Sequence, residues 1–243
     1  MLGGSGAWPT AAQACSGYLV QDDGFTLLVD PGYATLPRLL EQVAVRDVDA
    51  VLISHGHPDH CADLNPLLRA RAMADDPPPA LEVHTLPGAI DAVLALDSPR
   101  TLAGAFAVRE FTAGQRFGIG PFDVRTWLLP HFVPNAGIRL DSGTGTVAYT
   151  GDTGPSPDIA VLARDAGALL AEATFPRRVP ADSAAFLSSA LQAGQHAAAA
   201  GAGALLLTHL WPGTDPAAAL AAAGESYPGP VSVARPGLTL DLG

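Results

Sequence analysis

Short apolar runs alternate along the chain with segments whose apolar residues recur at helical spacing. Residues 48–54 form such a run and predict a buried strand, whereas residues 61–73 carry apolar side chains at positions 64, 67, 68 and 72 and predict a helix. Further strands are predicted at 18–20, 25–29, 81–85, 105–111, 122–129, 138–140, 146–150, 168–171, 204–208, 231–233 and 238–242. Further helices are predicted at 36–43, 89–96, 159–165, 186–200 and 216–223. No linker interrupts this alternation, which indicates one α/β domain over residues 1–243.

Turn-forming residues join several of these strands into predicted hairpins. Asp23 and Gly24 lie between the strands predicted at 18–20 and 25–29, and a Gly-rich turn separates the strands at 138–140 and 146–150. A second Gly-rich stretch leads from 105–111 to 122–129 and predicts that these two strands are antiparallel.

The composition changes the picture in two ways. With 243 residues, 48% hydrophobic and 15% charged, the chain can bury a large core, yet its apolar runs are far shorter than the roughly 20 residues of a membrane span. The first residues lack the basic and apolar parts of a signal peptide, so a cytoplasmic location is expected. Cys15 and Cys61 predict no disulfide framework. Cys61 follows a candidate ligand, so packing and metal ligation both stay open for its thiol.

The net charge is −11, and all 13 basic residues are arginine. Nucleic-acid binding depends on basic patches that neutralise phosphates, and no basic run is present. A small-molecule substrate is therefore expected, and a large nucleic acid is a doubtful partner. Bound metal ions would add local positive charge that this total omits.

The densest candidate chemistry is the run His55-Gly56-His57-Pro58-Asp59-His60, directly after the strand predicted at 48–54. In an extended or loop backbone, residues two apart point the same way, so His55 and His57 can bind one ion. Asp59 and His60 lie further round the turn and face a second ion. Imidazole and carboxylate together suit zinc, iron or manganese.

Three more candidates follow predicted strands at distant points of the chain. His131 comes after the strand at 122–129, Asp152 after 146–150 and His209 after 204–208. Layered α/β folds build their sites on loops that follow the carboxyl ends of strands. With the first cluster, these residues complete two ligand sets.

In these residues the chain resembles the metallo-β-lactamase-fold superfamily. That family carries His-x-His-x-Asp-His, then a distant His, a distant Asp in a Gly-Asp-Thr context and a final His, in the order found here. Within the superfamily, the sequence looks most like the ribonuclease Z-like branch. The phrases that carry this second likeness lie at residues 17–20, 27–32, 149–153, 171–175 and 206–209.

The resemblance implies a four-layer αβ/βα sandwich of two mixed sheets. It implies two divalent metal ions, zinc first, with manganese or iron as alternatives. The ligand sets that it implies are His55, His57 and His131 for the first ion, Asp59, His60 and His209 for the second, and Asp152 as the bridging carboxylate. A water shared by both ions would lose its proton near neutral pH and attack the substrate. Asp59 would bind metal and orient that water, which makes it the catalytic candidate.

One departure bears on the substrate. Members that process tRNA 3′ ends carry a further catalytic His on the helix before the last ligand, and a long arm that clamps tRNA. Here Phe186 or Leu187 stands where that His is expected, and no arm-sized insertion is visible. We therefore expect hydrolysis of a small phosphodiester. The alternatives are a lactone, thioester or β-lactam hydrolase, a tRNA 3′-processing endoribonuclease, and an iron-dependent oxidoreductase of the same fold. A homodimer stays open.

Five residues outside the ligand sets are weaker candidates. Asp30 and Glu172 either support metal-bound histidines or have purely structural roles. His84, in a predicted strand, and His196, in a predicted helix, are expected to be structural. Arg139 is expected near a small anionic substrate.

Overall fold

The structure is a computed structural model that describes residues 1–242. In chain order the strands are β1 (Gly3–Ser5), β2 (Ala14–Cys15), β3 (Tyr18–Asp22), β4 (Phe25–Val29), β5 (Ala50–Leu52), β6 (Leu81–Thr85), β7 (Phe106–Glu110), β8 (Arg116–Ile119), β9 (Phe122–Leu129), β10 (Asn135–Asp141), β11 (Thr146–Tyr149), β12 (Ala168–Glu172), β13 (Leu205–Thr208) and β14 (Val231–Val233). The helices are α1 (Thr35–Leu40), α2 (Pro58–Cys61), α3 (Leu64–Ala72), α4 (Asp91–Leu94), α5 (Asp158–Leu162), α6 (Ala190–Ala200) and α7 (Pro216–Gly224), with a 3₁₀ turn at Val45–Asp47.

Two mixed sheets form the centre of the fold. The five-stranded sheet has the order β3-β4-β5-β6-β7, and the seven-stranded sheet has the order β14-β13-β12-β11-β10-β9-β8. In the first sheet β3 and β4 are antiparallel and the remaining pairs are parallel. In the second sheet the strands from β8 to β11 are antiparallel and those from β11 to β14 are parallel. β1 and β2 form a short parallel pair.

Apolar side chains fill the space between the two sheets. Leu27 and Leu52 from the five-stranded sheet share one buried cluster with Val124, Ile138 and Leu170 from the seven-stranded sheet. Because successive side chains of a strand point to opposite faces, the intervening residues are free to pack against the outer helices.

Helices cover the outer face of each sheet. On the five-stranded sheet, Leu28 and Val51 pack in one cluster with Leu64 and Leu68 of α3. On the seven-stranded sheet, α5 packs through Ile159 and Leu162, whereas α6 and α7 pack mainly through alanine side chains, with Ala193 and Ala197 fully buried on α6. The four-layer αβ/βα sandwich of mixed sheets is therefore confirmed. No helix within residues 1–242 combines the length and the apolarity that crossing a membrane requires.

Two predictions about strands are wrong. The strand at 122–129 does not pair with the one at 105–111, because β7 lies beside β6 at the edge of the other sheet. Its hairpin partner is β8, a strand that the sequence analysis missed, and Ile119 lies opposite Phe122 across the turn. Residues 238–242 form no strand, since Leu238 and Leu242 pack partly buried against the inter-sheet core without pairing.

Two predicted helices differ from those observed. The helix predicted at 186–200 begins only at Ala190, because Ser189 accepts a hydrogen bond from the backbone of Gln192 and caps it. The helix predicted at 61–73 is two helices, since α2 begins at Pro58 and ends at Cys61 before α3 starts. This break lets the loop residues before α2 and the first turn of α2 face the same edge of the sandwich.

Candidate metal centre

The predicted ligands meet at one edge of the sandwich. His55, His57, Asp59 and His60 lie between the end of β5 and the end of α2, and His57 is the N-cap residue of α2. His131 follows β9, Asp152 follows β11, and His209 follows β13. Both sheets thus contribute to the same cluster, since β5 belongs to the five-stranded sheet and the other three strands to the seven-stranded sheet.

The first group of donors consists of His55, His57, His131 and Asp152, whose ligand atoms all lie within 4.8 Å of one another. Nε2 of His55 and Nε2 of His131 are each 3.1 Å from Nδ1 of His57. Both Nε2 atoms also lie 3.8 Å from Oδ2 of Asp152. Three imidazole nitrogens and one carboxylate oxygen therefore surround a common point.

The second group consists of Asp59, His60, Asp152 and His209, again within 4.8 Å. Nε2 of His209 lies 3.1 Å from Oδ2 of Asp59 and 3.0 Å from Oδ2 of Asp152. Nε2 of His60 lies 3.2 Å from Oδ1 of Asp152. Asp152 belongs to both groups, so its buried carboxylate lies where a bridge between two ions would be needed.

Hydrogen bonds on the far side of four imidazoles fix their orientation. His60 donates from Nδ1 to Asp30 at 2.8 Å, and His131 donates from Nδ1 to the carbonyl of Phe186 at 2.9 Å. His55 donates to the Ser54 hydroxyl at 3.0 Å. His209 donates to the Thr174 hydroxyl at 2.9 Å. Each bond uses the proton on Nδ1 and directs Nε2 into the centre, where the lone pair of a deprotonated Nε2 would bind a metal.

Asp30 is a support for this arrangement and is fully buried. Its carboxylate accepts hydrogen bonds from the backbone N–H of Ser54 at 2.7 Å, from the Ser54 hydroxyl at 2.6 Å and from the Tyr149 hydroxyl at 2.8 Å, in addition to His60. Its backbone φ is 49°, a strained conformation for a residue with a side chain. Asp30 thus orients His60 directly and His55 through Ser54.

Glu172 has a similar position beneath the other side of the centre. It is buried and accepts hydrogen bonds from the Thr174 hydroxyl at 2.7 Å, from the backbone N–H of Ser188 at 3.0 Å and from the backbone N–H of Thr153. Burial in this setting, together with the nearby negative charge of Asp152, raises the pKa of Glu172 to about 8. Glu172 connects through Thr174 to His209, so it supports a candidate ligand and does not contact the centre itself.

Two buried polar atoms in the centre show that a cation fits there. Nε2 of His60 and Oδ1 of Asp152 lack a hydrogen-bond partner. A buried polar atom without a partner costs free energy, and a divalent ion between the imidazole and the carboxylate would supply the missing interaction. The nitrogen and oxygen donor set suits zinc, iron or manganese. The residues present therefore fit two ions, one for each group.

The surroundings lower the pKa of some histidines of the centre and raise the pKa of others. Burial holds the pKa of His55 well below its usual value. Burial alone would also lower the pKa of His209, but the carboxylates of Asp152 and Asp59 raise it to about 10, and Asp152 likewise raises the pKa of His60 well above its usual value. In turn, the adjacent histidines hold the pKa of both aspartates far below the ordinary range, against the effect of burial.

This division predicts that metal loading releases protons. At pH 7 the metal-free protein should carry a proton on Nε2 of His60 and of His209, whereas His55, His57 and His131 have lowered pKa values and stay neutral. Because a metal binds only the neutral imidazole, filling the centre should release about two protons per chain at pH 7. Calorimetric titration with zinc in buffers of different ionisation enthalpy measures this number. Release of no protons would contradict the two raised pKa values.

Several weaker candidates lie elsewhere. His84 stacks on Phe117 with ring centroids 5.8 Å apart and lies 3.5 Å from Glu82, and His196 lies on α6. The thiol of Cys61 donates to the carbonyl of His57 at 3.3 Å and belongs to the core beneath the five-stranded sheet. The expectation for Arg139 is wrong, because its guanidinium bonds Asp141 and the carbonyls of Leu162 and Arg164.

Other contributors were missed by sequence reasoning. The backbone N–H of Ala7 donates to Oδ2 of Asp59 at 2.7 Å, although the two residues are 52 positions apart. Gly6 fits beside the imidazole of His209, since a Cβ there would lie 2.8 Å from the ring. Nothing in the N-terminal sequence indicates this role, because it depends on a backbone group and on tertiary packing. Ser54, Tyr149 and Thr174 were missed because only tertiary packing brings their side chains to the imidazoles and to Asp30.

An αβ/βα sandwich with seven His and Asp donors converging at one edge defines a class of metalloproteins, and comparisons with known proteins identify the family. The metallo-beta-lactamase superfamily model matches residues 11–209. The probable metallo-hydrolase YhfI of Bacillus subtilis (strain 168) is 35% identical over 216 residues, which cover 86% of this chain and 85% of YhfI. A ribonuclease Z of Mycolicibacterium gilvum is 31% identical over 243 residues, covering 89% of this chain and 85% of that enzyme.

The fold comparison agrees with these sequence matches. The crystal structure of YhfI from Bacillus subtilis matches with a TM-score of 0.88 at 31% identity and covers 98% of this chain and 96% of YhfI. This chain therefore belongs to the metallo-beta-lactamase superfamily. The resemblance inferred from the sequence, including the likeness to ribonuclease Z, is confirmed. The family and these relatives support a metal-dependent hydrolase.

Proposed function

We propose that this protein is a dinuclear metal-dependent hydrolase that acts on a small phosphodiester. The observation that carries the proposal is the shared position of Asp152. Its two oxygens lie within 3.8 Å of Nε2 atoms from both donor groups, so one carboxylate can serve two cations. Two neighbouring divalent ions would repel each other, and an anionic carboxylate held between the two donor groups would offset that repulsion.

The proposed ligands are His55, His57 and His131 for one ion, Asp59, His60 and His209 for the other, and Asp152 for both. When bound, the two cations would activate water as a nucleophile near neutral pH and offset the negative charge that develops on the ester. We propose zinc, with manganese or iron as alternatives to be decided by metal analysis. Asp30 and Glu172 hold the imidazoles at the required angles.

Asp59 is the proposed catalytic residue. Its Oδ2 accepts hydrogen bonds from the backbone N–H of Ala7 at 2.7 Å and from Nε2 of His209 in the metal-free arrangement, at 3.1 Å. Burial opposes ionisation of this carboxyl, but His209 and His60 hold its pKa below the usual value in the metal-free protein. An ionised carboxylate at this position can accept a hydrogen bond from an attacking water and orient it. The bond from Ala7 fixes the carboxylate without requiring a further side chain.

The charge distribution favours a small substrate. None of the hydrogen bonds and ion pairs of the seven proposed ligands, within residues 1–242, involves an arginine. Positive charge for an anionic ester would therefore come from the cations. Ribonuclease Z relatives favour a nucleic acid as the alternative substrate, but a long RNA needs several phosphate contacts along its path.

The carbonyl of Phe186 accepts a hydrogen bond from His131, so Phe186 lies beside the centre. This chain thus has an apolar ring at the position where tRNA-processing members carry a further His. We expect hydrolysis of bis(4-nitrophenyl) phosphate by the metal-loaded protein, and no site-specific cleavage of a precursor tRNA at physiological salt. Both substrates are incubated with the same metal-loaded preparation and with a chelated sample.

The matched control for this comparison is a preparation of the variant Asp152→Ala, which separates activity of the centre from that of a contaminant. Cleavage of the tRNA at one position by the unchanged protein, absent in the variant, would establish the ribonuclease alternative. Turnover of a lactone, thioester or β-lactam with the phosphodiester untouched would leave the metal centre in place and replace the proposed substrate class.

A further inference from the structure

Four aromatic side chains lie next in sequence, or nearly so, to residues that form or support the metal centre, and a fifth belongs to a residue that accepts a hydrogen bond from one of the proposed ligands. Trp8 follows Ala7, Phe132 follows His131, and Trp211 comes two residues after His209. The other two are Phe175, which follows Thr174, and Phe186, whose carbonyl accepts a hydrogen bond from His131. We call these five the aromatic rim: Trp8, Phe132, Phe175, Phe186 and Trp211.

One wall of the aromatic rim is built on the side of Asp59 and His209. Trp8 and Trp211 pack edge to face, with ring centroids 5.0 Å apart at 82°. Trp211 also lies parallel to Phe175 at 6.2 Å and 14°, and its backbone N–H donates to the carbonyl of Thr174 at 3.1 Å. Because neighbouring residues support the ligand imidazole, this wall is fixed relative to the centre.

The opposite wall is built on the side of His131. The ring of Phe132 lies 5.2 Å from the imidazole of His131 and 4.7 Å from the ring of Phe186. The hydrogen bond from His131 to the Phe186 carbonyl joins the two chain segments. The two walls of the aromatic rim therefore adjoin residues of both donor groups.

The exposure of these rings is unusual for side chains of their size. Trp8 is 46% exposed, Phe132 is 54% exposed and Trp211 is 40% exposed, while the ligands between them are buried or half-buried. Neighbouring exposed aromatic residues beside a cluster of polar groups are typical of a ligand-binding surface. No arginine bonds the proposed ligands within residues 1–242, so ring contacts are the interaction that the aromatic rim itself can offer a substrate.

We propose that the aromatic rim receives a flat aromatic group of the substrate, attached to the ester that lies at the metal centre. This inference rests on the proposed function, because the cations hold the anionic part of the same molecule. A flat ring can stack on Trp or Phe, whereas a puckered ring of equal size cannot approach both faces as closely. The rim thus selects aryl or nucleobase esters over alkyl esters.

The test compares anions that differ only in the attached group. Phenylphosphonate, cyclohexylphosphonate and methylphosphonate are titrated calorimetrically into the metal-loaded protein, which needs no turnover. We expect phenylphosphonate to bind at least about fivefold more tightly than cyclohexylphosphonate, since one stacked ring contributes a factor of this size. Simple hydrophobic burial would instead give cyclohexylphosphonate equal or higher affinity, because its ring is the more apolar of the two.

Variants locate the preference. Trp211→Ala and Phe132→Ala should each reduce the ratio of the two affinities toward one, and Trp211→Phe should retain most of it. The matched control is Trp127→Phe, because Trp127 lies on β9 and packs against the helical layer over the seven-stranded sheet. A ratio near one in the unchanged protein, or a ratio that Trp211→Ala leaves intact, would overturn the proposal.

A second pair of anions distinguishes the sources of the flat group. Thymidine 5′-monophosphate and 2-deoxyribose 5-phosphate carry the same sugar and phosphate with and without a base. Tighter binding of the nucleotide, lost in Trp211→Ala, assigns the rim to nucleobases, whereas equal binding of this pair together with a phenyl preference assigns it to simple aryl groups. Either result supports the proposal.

Two further measurements separate this inference from the proposed function. Hydrolysis of bis(4-nitrophenyl) phosphate without any preference for phenylphosphonate would overturn the proposal for the aromatic rim and support the proposed hydrolase. A preference for phenylphosphonate without hydrolysis would support the rim and contradict the proposed hydrolase. If none of the phosphonates binds, the proposal for the rim fails, and the hydrolysis assay alone decides the proposed function. Light scattering after size exclusion gives the molar mass of Trp8→Ala. A loss of dimer with an unchanged phenyl preference would make the rim a contact between copies and overturn the proposal.

Discussion

Replacement of Asp152 by alanine is expected to reduce hydrolytic activity by more than about 100-fold, because the change removes a donor from both ions and the negative charge between them. In the structure the carboxylate lies within 3.8 Å of Nε2 of His55, His60, His131 and His209. Metal content should fall from about two ions per chain to one or fewer. Elemental analysis and rate measurements on the same preparation check both effects.

Asp59→Asn is the informative comparison for Asp152→Ala. It keeps the shape of the side chain and an oxygen donor, so metal loading should survive better and the loss of activity should be smaller. An exposed carboxylate, Asp75, supplies the control, since Asp75→Ala removes the same charge far from any donor and should leave activity unchanged. If Asp59→Asn proved as damaging as Asp152→Ala with both metals bound, Asp59 would be the essential proton-handling group.

Removal of the metals is expected to lower the thermal unfolding midpoint by roughly 10 °C. An ion present at about 1,000 times its Kd stabilises the folded state by about 4 kcal/mol, and for a chain of this length each kcal/mol corresponds to about 2–4 °C. The centre joins both sheets, so ions bound there would hold together two halves of the fold that otherwise share an apolar interface.

The measurement is calorimetric unfolding with zinc and with excess chelator. Asp152→Ala should show a much smaller difference between the two conditions, because its metal sites are impaired. A large difference that persists in this variant would place the stabilising ions elsewhere in the protein.

Much of the fold followed from local patterns. The apolar run before His55 and the regular spacing after Cys61 gave strand and helix in the right places, and the two Gly-containing turns gave the hairpins β3-β4 and β10-β11. The pairing of strands that are distant in sequence could not be predicted from local patterns. The alternation in residues 105–111 is compatible with either sheet, and only the packing of whole layers places β7 beside β6.

The candidate ligands were all identified from the sequence because each carries a distinctive donor after a strand. Their supports were not, since Ser54, Tyr149 and Thr174 are ordinary polar residues until tertiary structure brings them to an imidazole. The contribution of Ala7 is a backbone N–H, which any residue except proline supplies. The position of Arg139 was mistaken because sequence shows an arginine but not the carbonyl oxygens that engage it.

The distribution of the ligands over the chain also constrains the order of folding. Asp59 and His209, which share a contact in the centre, are 150 residues apart, and the strand before His209 is the last but one. Bringing such distant segments together carries a loop-closure cost that must be met before the contact exists. On a chain emerging from the ribosome, the complete centre cannot form until β13 has been synthesised and has joined its sheet. Contacts that form after the rate-limiting step of folding slow unfolding and leave the refolding rate nearly unchanged. Bound metal would therefore stabilise this protein chiefly by lowering its unfolding rate.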